Sequence, residues 1–327
     1  MLQITNTTNI ALPLEVWLAS DEYDHDPDPD TYSATQIIKP IRQQILKPRL
    51  SEQDVVYDVK DVIKSSIGTA IHDAILNAWL DSRRGALQGL NYDSSVIDNI
   101  LVNPTKKQLK RNPKATVVNM EQRYSKDCKG KKITGKMDWI ANGQVADFKT
   151  TSAYFYSNNT KLETFIQQLS IYRWLVPELI TNNVAQIHYI FLDWKPYLVK
   201  QDNYPPSDIV TTDIPLMSLN ATNALVKSKI NALEINKDKE ESELPRCTDE
   251  ELWKTPYTYK YYANPNKLTK ATKNFTSKQE AISFKALKGN KGLIKHSGGE
   301  VRACKFCPAR MICTQKDEYL ANGTLVL

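Results

Sequence analysis

The chain has 327 residues, enough to bury one large core with an appended subdomain, and its net charge of +6 permits nucleic-acid binding without arguing for it. No stretch approaches the roughly 18 consecutive apolar residues of a membrane-spanning helix, and Met1 to Thr8 lacks the basic start and apolar run of an export signal, so a soluble cytoplasmic protein without membrane contact is expected. Five cysteines in such a chain favour metal ligation over a disulfide framework.

Residues 1–32 read as an N-terminal extension, the least structured part of the chain. Asp21 to Asp30 is acidic and proline-bearing and cannot bury a face, so it is expected to be a loop, with His25 a solvated residue in it. Ser33-Ala-Thr35 offers an N-cap for a helix running towards Leu46, interrupted at Pro40. A longer helix is predicted from near Val56 to Leu80, with Gly68 as a weak point where another backbone comes close. His72 lies at helical spacing from Ile75, Leu76 and Trp79 and so points along the apolar face; alone, such a histidine reads as a satisfied core residue. The basic run Lys106 to Lys114 reads as a solvated loop, with phosphate contact as the alternative. Thr116 to Arg123 reads as a strand on which Glu121 is a further candidate carboxylate.

Two strand-like runs then flank Asn142-Gly143, a strong short-range signal for a two-residue type I′ hairpin. A turn that tight sets Ala141 against Gln144, Asp138 opposite Asp147 and Lys136 opposite Lys149. Carboxylates facing each other across a pair of strands, at roughly 5 Å, repel unless something neutralises them. A divalent cation would, and Mg²⁺ is typically held by one or two carboxylates plus substrate phosphate and water. That suits metal-assisted phosphodiester hydrolysis, with Lys149 placed to stabilise an anionic oxygen. The other reading, a charged solvated hairpin, leaves the bulky Met137, Trp139 and Phe148 on its reverse side without a purpose.

Beyond the hairpin, a helix is predicted over 159–175, which puts Gln168 and Tyr172 one turn apart on one face. Val184 to Leu192 reads as a strand buried on both faces, with His188 a core residue. A strand over 208–214 and a helix over 216–233 follow. The order helix, antiparallel strands, helix, strand predicts an α/β sandwich around a mixed sheet.

Gly135-Lys-Met-Asp138 followed by Asp147-Phe-Lys-Thr-Thr151 resembles motifs II and III of the PD-(D/E)XK nucleases, in their RecB-like exonuclease branch. Gly68 to His72 is similar to that branch's upstream histidine motif, and Gln168 to Tyr172 to its downstream Q-x-x-x-Y motif. The resemblance implies a restriction-endonuclease-like mixed sheet flanked by helices, with the nuclease core over residues 33–235. It implies a Mg²⁺- or Mn²⁺-dependent deoxyribonuclease acting on DNA ends or single strands, in recombination, repair or phage DNA metabolism. Asp138, Asp147, Lys149, Gln168 and Tyr172 would be catalytic, and His72, Asp138, Asp147 and the Phe148 carbonyl would hold the cation. A catalytically inactive DNA-binding scaffold on the same fold is the alternative; a recombination partner protein or a second copy of the chain is compatible with either.

Residues 236–327 read as a separate Lys/Tyr-rich subdomain. Cys304, Cys307 and Cys313 stand at C-x2-C-x5-C spacing, and Cys247 supplies a fourth thiolate, leaving Cys128 over. Spacing alone admits Zn²⁺ or an iron-sulfur cluster. The similar cysteine triplet of the iron-sulfur RecB-like nucleases implies [4Fe-4S], with Zn²⁺ as the alternative. Between the cysteines, Tyr257, Tyr259, Tyr261 and Tyr262 interleave with lysines. Lys254, Lys260, Tyr259 and Tyr261 are candidates for single-stranded DNA contact, against a solvated face with tyrosines packing below. Gly298-Gly299 is expected to be a turn.

Overall fold

The computed structural model describes residues 3–20, 28, 30–51, 56–158 and 161–326; His25 and most of the acidic loop lie outside the described residues. The chain divides into two compact units, Met1–Ile38 with Val56–Ala232, and Lys39–Val55 with Leu233–Leu327.

The first unit is built on strands β1 (Gln3–Thr5), β2 (Thr31–Ser33), β3 (Val56–Asp58), β4 (Ile100–Val102), β5 (Thr116–Cys128), β6 (Lys131–Ala141), β7 (Gln144–Thr151), β8 (Val184–Phe191) and β9 (Ile209–Pro215). Among the described residues, seven of these form one sheet in the order β4-β5-β6-β7-β8-β9, with β2 also on β6. The β4–β5, β7–β8 and β2–β6 pairs are parallel and the others antiparallel, so the expected mixed sheet is present. Its long central strands turn on left-handed residues: Lys129-Gly130 joins β5 to β6, and Asn142-Gly143, at φ 52° and 76°, joins β6 to β7. The second pair gives the predicted register, Ala141 against Gln144.

Helices flank the sheet. The helix Val59–Asn77 is capped by Asp58, whose carboxylate accepts the Lys60 amide, and Trp79 in the π-helical turn that follows meets Trp139 edge-on at 4.7 Å. The helix Leu162–Leu175 buries Leu169, Ile171 and Trp174. Strand β8 differs from expectation. Ala185, Ile187, Tyr189 and Phe191 are buried while Gln186, His188 and Ile190 are only half so, which makes it a strand with one covered face. His188 accordingly sits outside the core, its Nδ1 2.8 Å from the Thr211 hydroxyl.

Two further segments are more ordered than the sequence suggests. Leu12–Ala19 is helical, with a proline in its first turn where the missing N–H costs nothing. Lys106–Arg111, read as a loop, is a helix because Thr105 and Gln108 form a capping box that satisfies its first amides. Pro40 separates the helices Ala34–Ile37 and Ile41–Leu46, as expected.

The second unit contains a three-stranded antiparallel sheet, β11 (Lys273–Phe275), β10 (Thr258–Tyr262) and β12 (Leu293–Ser297), with β10 in the middle. Its core includes Leu252, Val301, Cys304 and Leu325. Gly298 and Gly299, expected as a turn, instead leave β12 as irregular backbone at left-handed φ of 99° and 75°, the Gly299 N–H donating to the Thr255 carbonyl at 2.7 Å. Among the described residues no helix is long and apolar enough to cross a membrane.

Gly143→Ala tests the hairpin. A Cβ at φ 76° is strained, so unfolding in urea should begin at lower concentration, with stability reduced by about 1 kcal/mol or more.

Candidate metal centre and active site

The site lies where two strands part. The β6–β7 ladder runs only from Ala141↔Gln144 to Trp139↔Ala146, after which β7 continues as the parallel partner of β8 through Thr151. Further along, Lys132 to Thr134 of β6 pair with β2. Between these two partners, Asp138 supplies from its side chain the acceptor the ladder no longer supplies: its Oδ2 takes the Phe148 N–H at 2.8 Å. The carboxylate thus stands, buried, at the point where β6 and β7 part.

Glu121 enters from β5 by a backbone distortion. In the β5–β6 register Met120 pairs with Trp139 and Gln122 with Met137, which sets Glu121 opposite Asp138. Its φ is 52°, left-handed for a residue in mid-strand, a conformation that costs on the order of 1 kcal/mol and persists only where neighbours enforce it. Asn103 is one such neighbour, its amide both accepting from the Met120 N–H at 2.8 Å and donating to the Met120 carbonyl at 3.0 Å.

His72 completes the group. Gly68, one turn earlier, lets its helix close on β7: a Cβ there would sit 3.1 Å from the Thr150 hydroxyl. His72 Nδ1 lies 3.2 Å from Glu121 Oε1 and 3.6 Å from Asp138 Oδ2, and Nε2 lies 3.0 Å from the Phe148 carbonyl oxygen. One ligand atom from each of His72, Glu121 and Asp138 falls within 4.8 Å of the other two.

Asp147 keeps different company. Lys149 Nζ lies 2.5 Å from its Oδ2, and Gln168 Nε2 donates to its Oδ1 at 3.4 Å. The same Gln168 nitrogen is 2.8 Å from the Tyr172 hydroxyl, so the two residues one turn apart act as one brace. Tyr172 is in turn seated on Gly135, where a Cβ would stand 2.9 Å from its ring.

The charges explain themselves from these neighbours. Burial and the like charge of Asp147 push the Asp138 carboxyl up to about 7. Burial disfavours the Lys149 ammonium, yet Asp147 and Asp138 outweigh it and hold its pKa above the ordinary lysine value. Burial also opposes the charge on His72, but the hydrogen bond to Glu121 and the nearby carboxylates raise it. Both its ring nitrogens face oxygen acceptors, the arrangement of an imidazolium. Glu121, despite burial, is held below its usual range by His72 and Lys136, the latter at 2.8 Å. A cluster of acids balanced by protonated groups fits a divalent cation, which would replace the His72 proton and relieve the Asp138–Asp147 repulsion. Asp147 Oδ2 is buried and taken up by the Lys149 ammonium. Of the ligands expected from sequence, His72, Asp138 and the Phe148 carbonyl therefore converge directly, while Asp147 is engaged by Lys149. Glu121 joins them through a kink that its Met-Glu-Gln context, free of glycine and proline, does not signal.

In the second unit, Cys247, Cys304, Cys307 and Cys313 line one cavity together with Arg42 and Gln315. Gln315, fully buried, clamps the Cys247 backbone by accepting its N–H at 2.9 Å and donating to its carbonyl at 3.2 Å. Arg42, also buried, donates from Nε to Cys313 Sγ at 3.3 Å and from Nη1 to the Leu244 carbonyl, and is ion-paired with Glu241. Burial pushes the Cys247 thiol up to about 12 and Cys304 to about 11, so these sulfurs ionise only with a cation beside them. Four converging thiols of this kind fit a thiolate-bound metal.

The candidate DNA contacts divide. Tyr261 is buried, its ring against Phe284 at 5.2 Å and its hydroxyl on the Lys291 carbonyl, so it has no face to offer a base and is corrected to a core residue. Tyr259 and Lys260 are half-buried on β10, and Lys254 is ion-paired with Asp249 at 3.1 Å. Tyr257 is the more exposed ring.

Gly135→Ala should separate the brace from the fold. The new methyl displaces Tyr172 and costs about 1–3 kcal/mol by overpacking, and loss of the Gln168–Tyr172 bond should be visible as a changed Tyr172 environment in near-ultraviolet circular dichroism, with far-ultraviolet spectra kept.

Residues 64–314 match the PD-(D/E)XK nuclease superfamily. No curated protein matches the chain. Among solved structures, SSO0001 is similar at 17% identity and a TM-score of 0.38, over 70% of this chain and 88% of that one. A phage-related exonuclease from Haemophilus somnus 129PT is similar at 16% identity and a TM-score of 0.27, over 64% of this chain and 97% of that one. The alkaline exonuclease LHK-Exo from Laribacter hongkongensis is similar at 8% identity and a TM-score of 0.29, over 68% and 94%. The family match spans well over half of the sequence and includes His72, Glu121, Asp138, Asp147 and Lys149, and the chain belongs to the PD-(D/E)XK nuclease superfamily.

Proposed function

We propose that the protein is a divalent-cation-dependent deoxyribonuclease that hydrolyses phosphodiester bonds at DNA ends or in single strands, in recombination, repair or phage DNA metabolism. The observation that carries this reading is the meeting of His72, Glu121 and Asp138 beside an ammonium group fixed on Asp147. A bound cation would polarise the phosphoryl oxygen and make water a better nucleophile at neutral pH. The chain's own residues supply the rest. Asp138, Glu121, His72 and the Phe148 carbonyl offer the ligands, and an imidazole among oxygens suits Mn²⁺ as well as Mg²⁺. Lys149, ion-paired with Asp147, would stabilise negative charge as it develops on the attacking or scissile oxygen. Gln168 and Tyr172 hold Asp147, and through it Lys149, in position. Five cysteines free of disulfides accord with a reducing, cytoplasmic setting.

End-labelled single- and double-stranded DNA incubated with the purified protein should be shortened in Mn²⁺ or Mg²⁺ and left intact in EDTA. Lys149→Ala should lower the rate by about 10²-fold or more while DNA is still bound. Binding without cleavage in the wild-type chain would instead assign it as an inactive DNA-binding scaffold.

The same reading includes a [4Fe-4S] cluster held by Cys247, Cys304, Cys307 and Cys313. What supports a shared centre is that all four cysteines line one cavity, with the buried Arg42 guanidinium on Cys313 Sγ to offset thiolate charge; the similar cysteine triplet of the iron-sulfur nucleases favours the cluster over zinc. Protein purified without oxygen should carry iron, sulfide and visible absorbance, and Cys313→Ser and Arg42→Met should lower the iron content. Stoichiometric zinc without iron would reassign the site.

A further inference from the structure

Beside the Asp147–Lys149 pair lies a feature that hydrolysis itself does not use. The short helix Ala153–Ser157 and the start of the helix Leu162–Leu175 enclose a cavity lined by Phe155, Tyr156, Lys161, Phe165 and Tyr189. Tyr156 meets Tyr189 edge-on at 5.3 Å, and Phe165 lies 6.4 Å from Tyr189. Two ammonium groups stand against these rings, Lys149 at 5.7 Å from the Phe165 centroid and Lys161 at 5.1 Å from that of Phe155. Phe155 is 40% exposed although its neighbours form an aromatic cluster.

From this we infer that the mouth of the cavity is a stacking platform for one unpaired nucleobase, belonging to the strand whose phosphate lies at Lys149. The inference rests on the DNA-hydrolysis reading and deepens it. The ammonium groups of Lys149 and Lys161 both border the rings, and an anion passing the cavity is attracted to the two together. A nucleotide joins such an anion to a flat π-face within one unit, and aromatic side chains take bases of any identity this way. The cavity volume of about 20 Å³ admits little more than one water, so the base lies across the mouth on Phe155 instead of inside. A base inside a duplex is stacked on both faces and offers neither to Phe155, whereas an unpaired base can swing out to lie on the ring. The substrate class is therefore a single strand or a frayed end, engaged without base preference.

The test uses the full chain in EDTA, where no cleavage occurs, and single-stranded oligonucleotides carrying 2-aminopurine at each of the terminal positions in turn. The wild-type chain should quench the probe at one position. Phe155→Ala should abolish the quenching and weaken binding roughly 5- to 150-fold, Phe155→Trp should restore both, and an oligonucleotide abasic at that position should bind wild type and Phe155→Ala alike. Because Phe155 is partly exposed, far-ultraviolet circular dichroism should show the variant folded. Absence of quenching by the wild-type chain, equal affinity of wild type and Phe155→Ala, an equal loss on the abasic strand, or failure of Phe155→Trp to restore binding would overturn the platform. Cleavage assayed separately in Mn²⁺ keeps the two readings apart. Quenching without cleavage sinks the hydrolysis reading and leaves the platform standing, whereas cleavage without any Phe155 effect does the reverse.

Discussion

The hydrogen bond from the Phe148 amide to Asp138 is the constraint around which the first unit is arranged. Strands β6 and β7 start as a tight hairpin and then separate: β7 keeps β8 on its far edge, while β2 takes the edge of β6 that β7 leaves. A buried backbone amide left without an acceptor at such a fork costs on the order of 1–3 kcal/mol. Satisfying it with a side-chain carboxylate resolves that cost and puts an acidic group where β6 and β7 part. The structural solution and the chemical one are the same atom.

Around that charge the molecule accumulates more of the same sign than it can tolerate alone. Asp138, Asp147 and Glu121 are held close by separate elements, and Lys149, Lys136 and His72 oppose them. Asp138 responds by drifting towards neutrality, the lysine by holding its proton. Such mutual perturbation is typical of sites poised for a ligand, because the arrangement stores unfavourable interactions that binding relieves. The left-handed Glu121 belongs to the same account: its backbone is strained so that its carboxylate arrives beside His72.

The second unit meets a different requirement. Its four cysteines are drawn from Cys247 and the far end of the chain, and Arg42, 271 residues from Cys313, reaches the same cavity. Long closures of this kind cost entropy that grows only slowly with length, so a shared centre of the kind proposed would offset them. A small three-stranded sheet and a modest apolar cluster would gain most from such a centre, as binding free energy becomes folding free energy.

Local rules carried far in this chain. Asn142-Gly143 set the hairpin register, helical spacing put Gln168 beside Tyr172, and the order of elements implied a mixed sheet between helices, because turn chemistry and periodicity act over a few residues. What lay beyond their reach needed partners distant in sequence. The Met120 backbone beside the left-handed Glu121 is held by Asn103, Asp147 is braced by a glutamine twenty-one residues on, and Tyr261 is buried against Phe284. The sequence by itself determined which residue types were available and at what local spacing. Only the tertiary structure decided which carboxylate each cation faces, since that depends on how strands part and helices close, and no short-range rule encodes it.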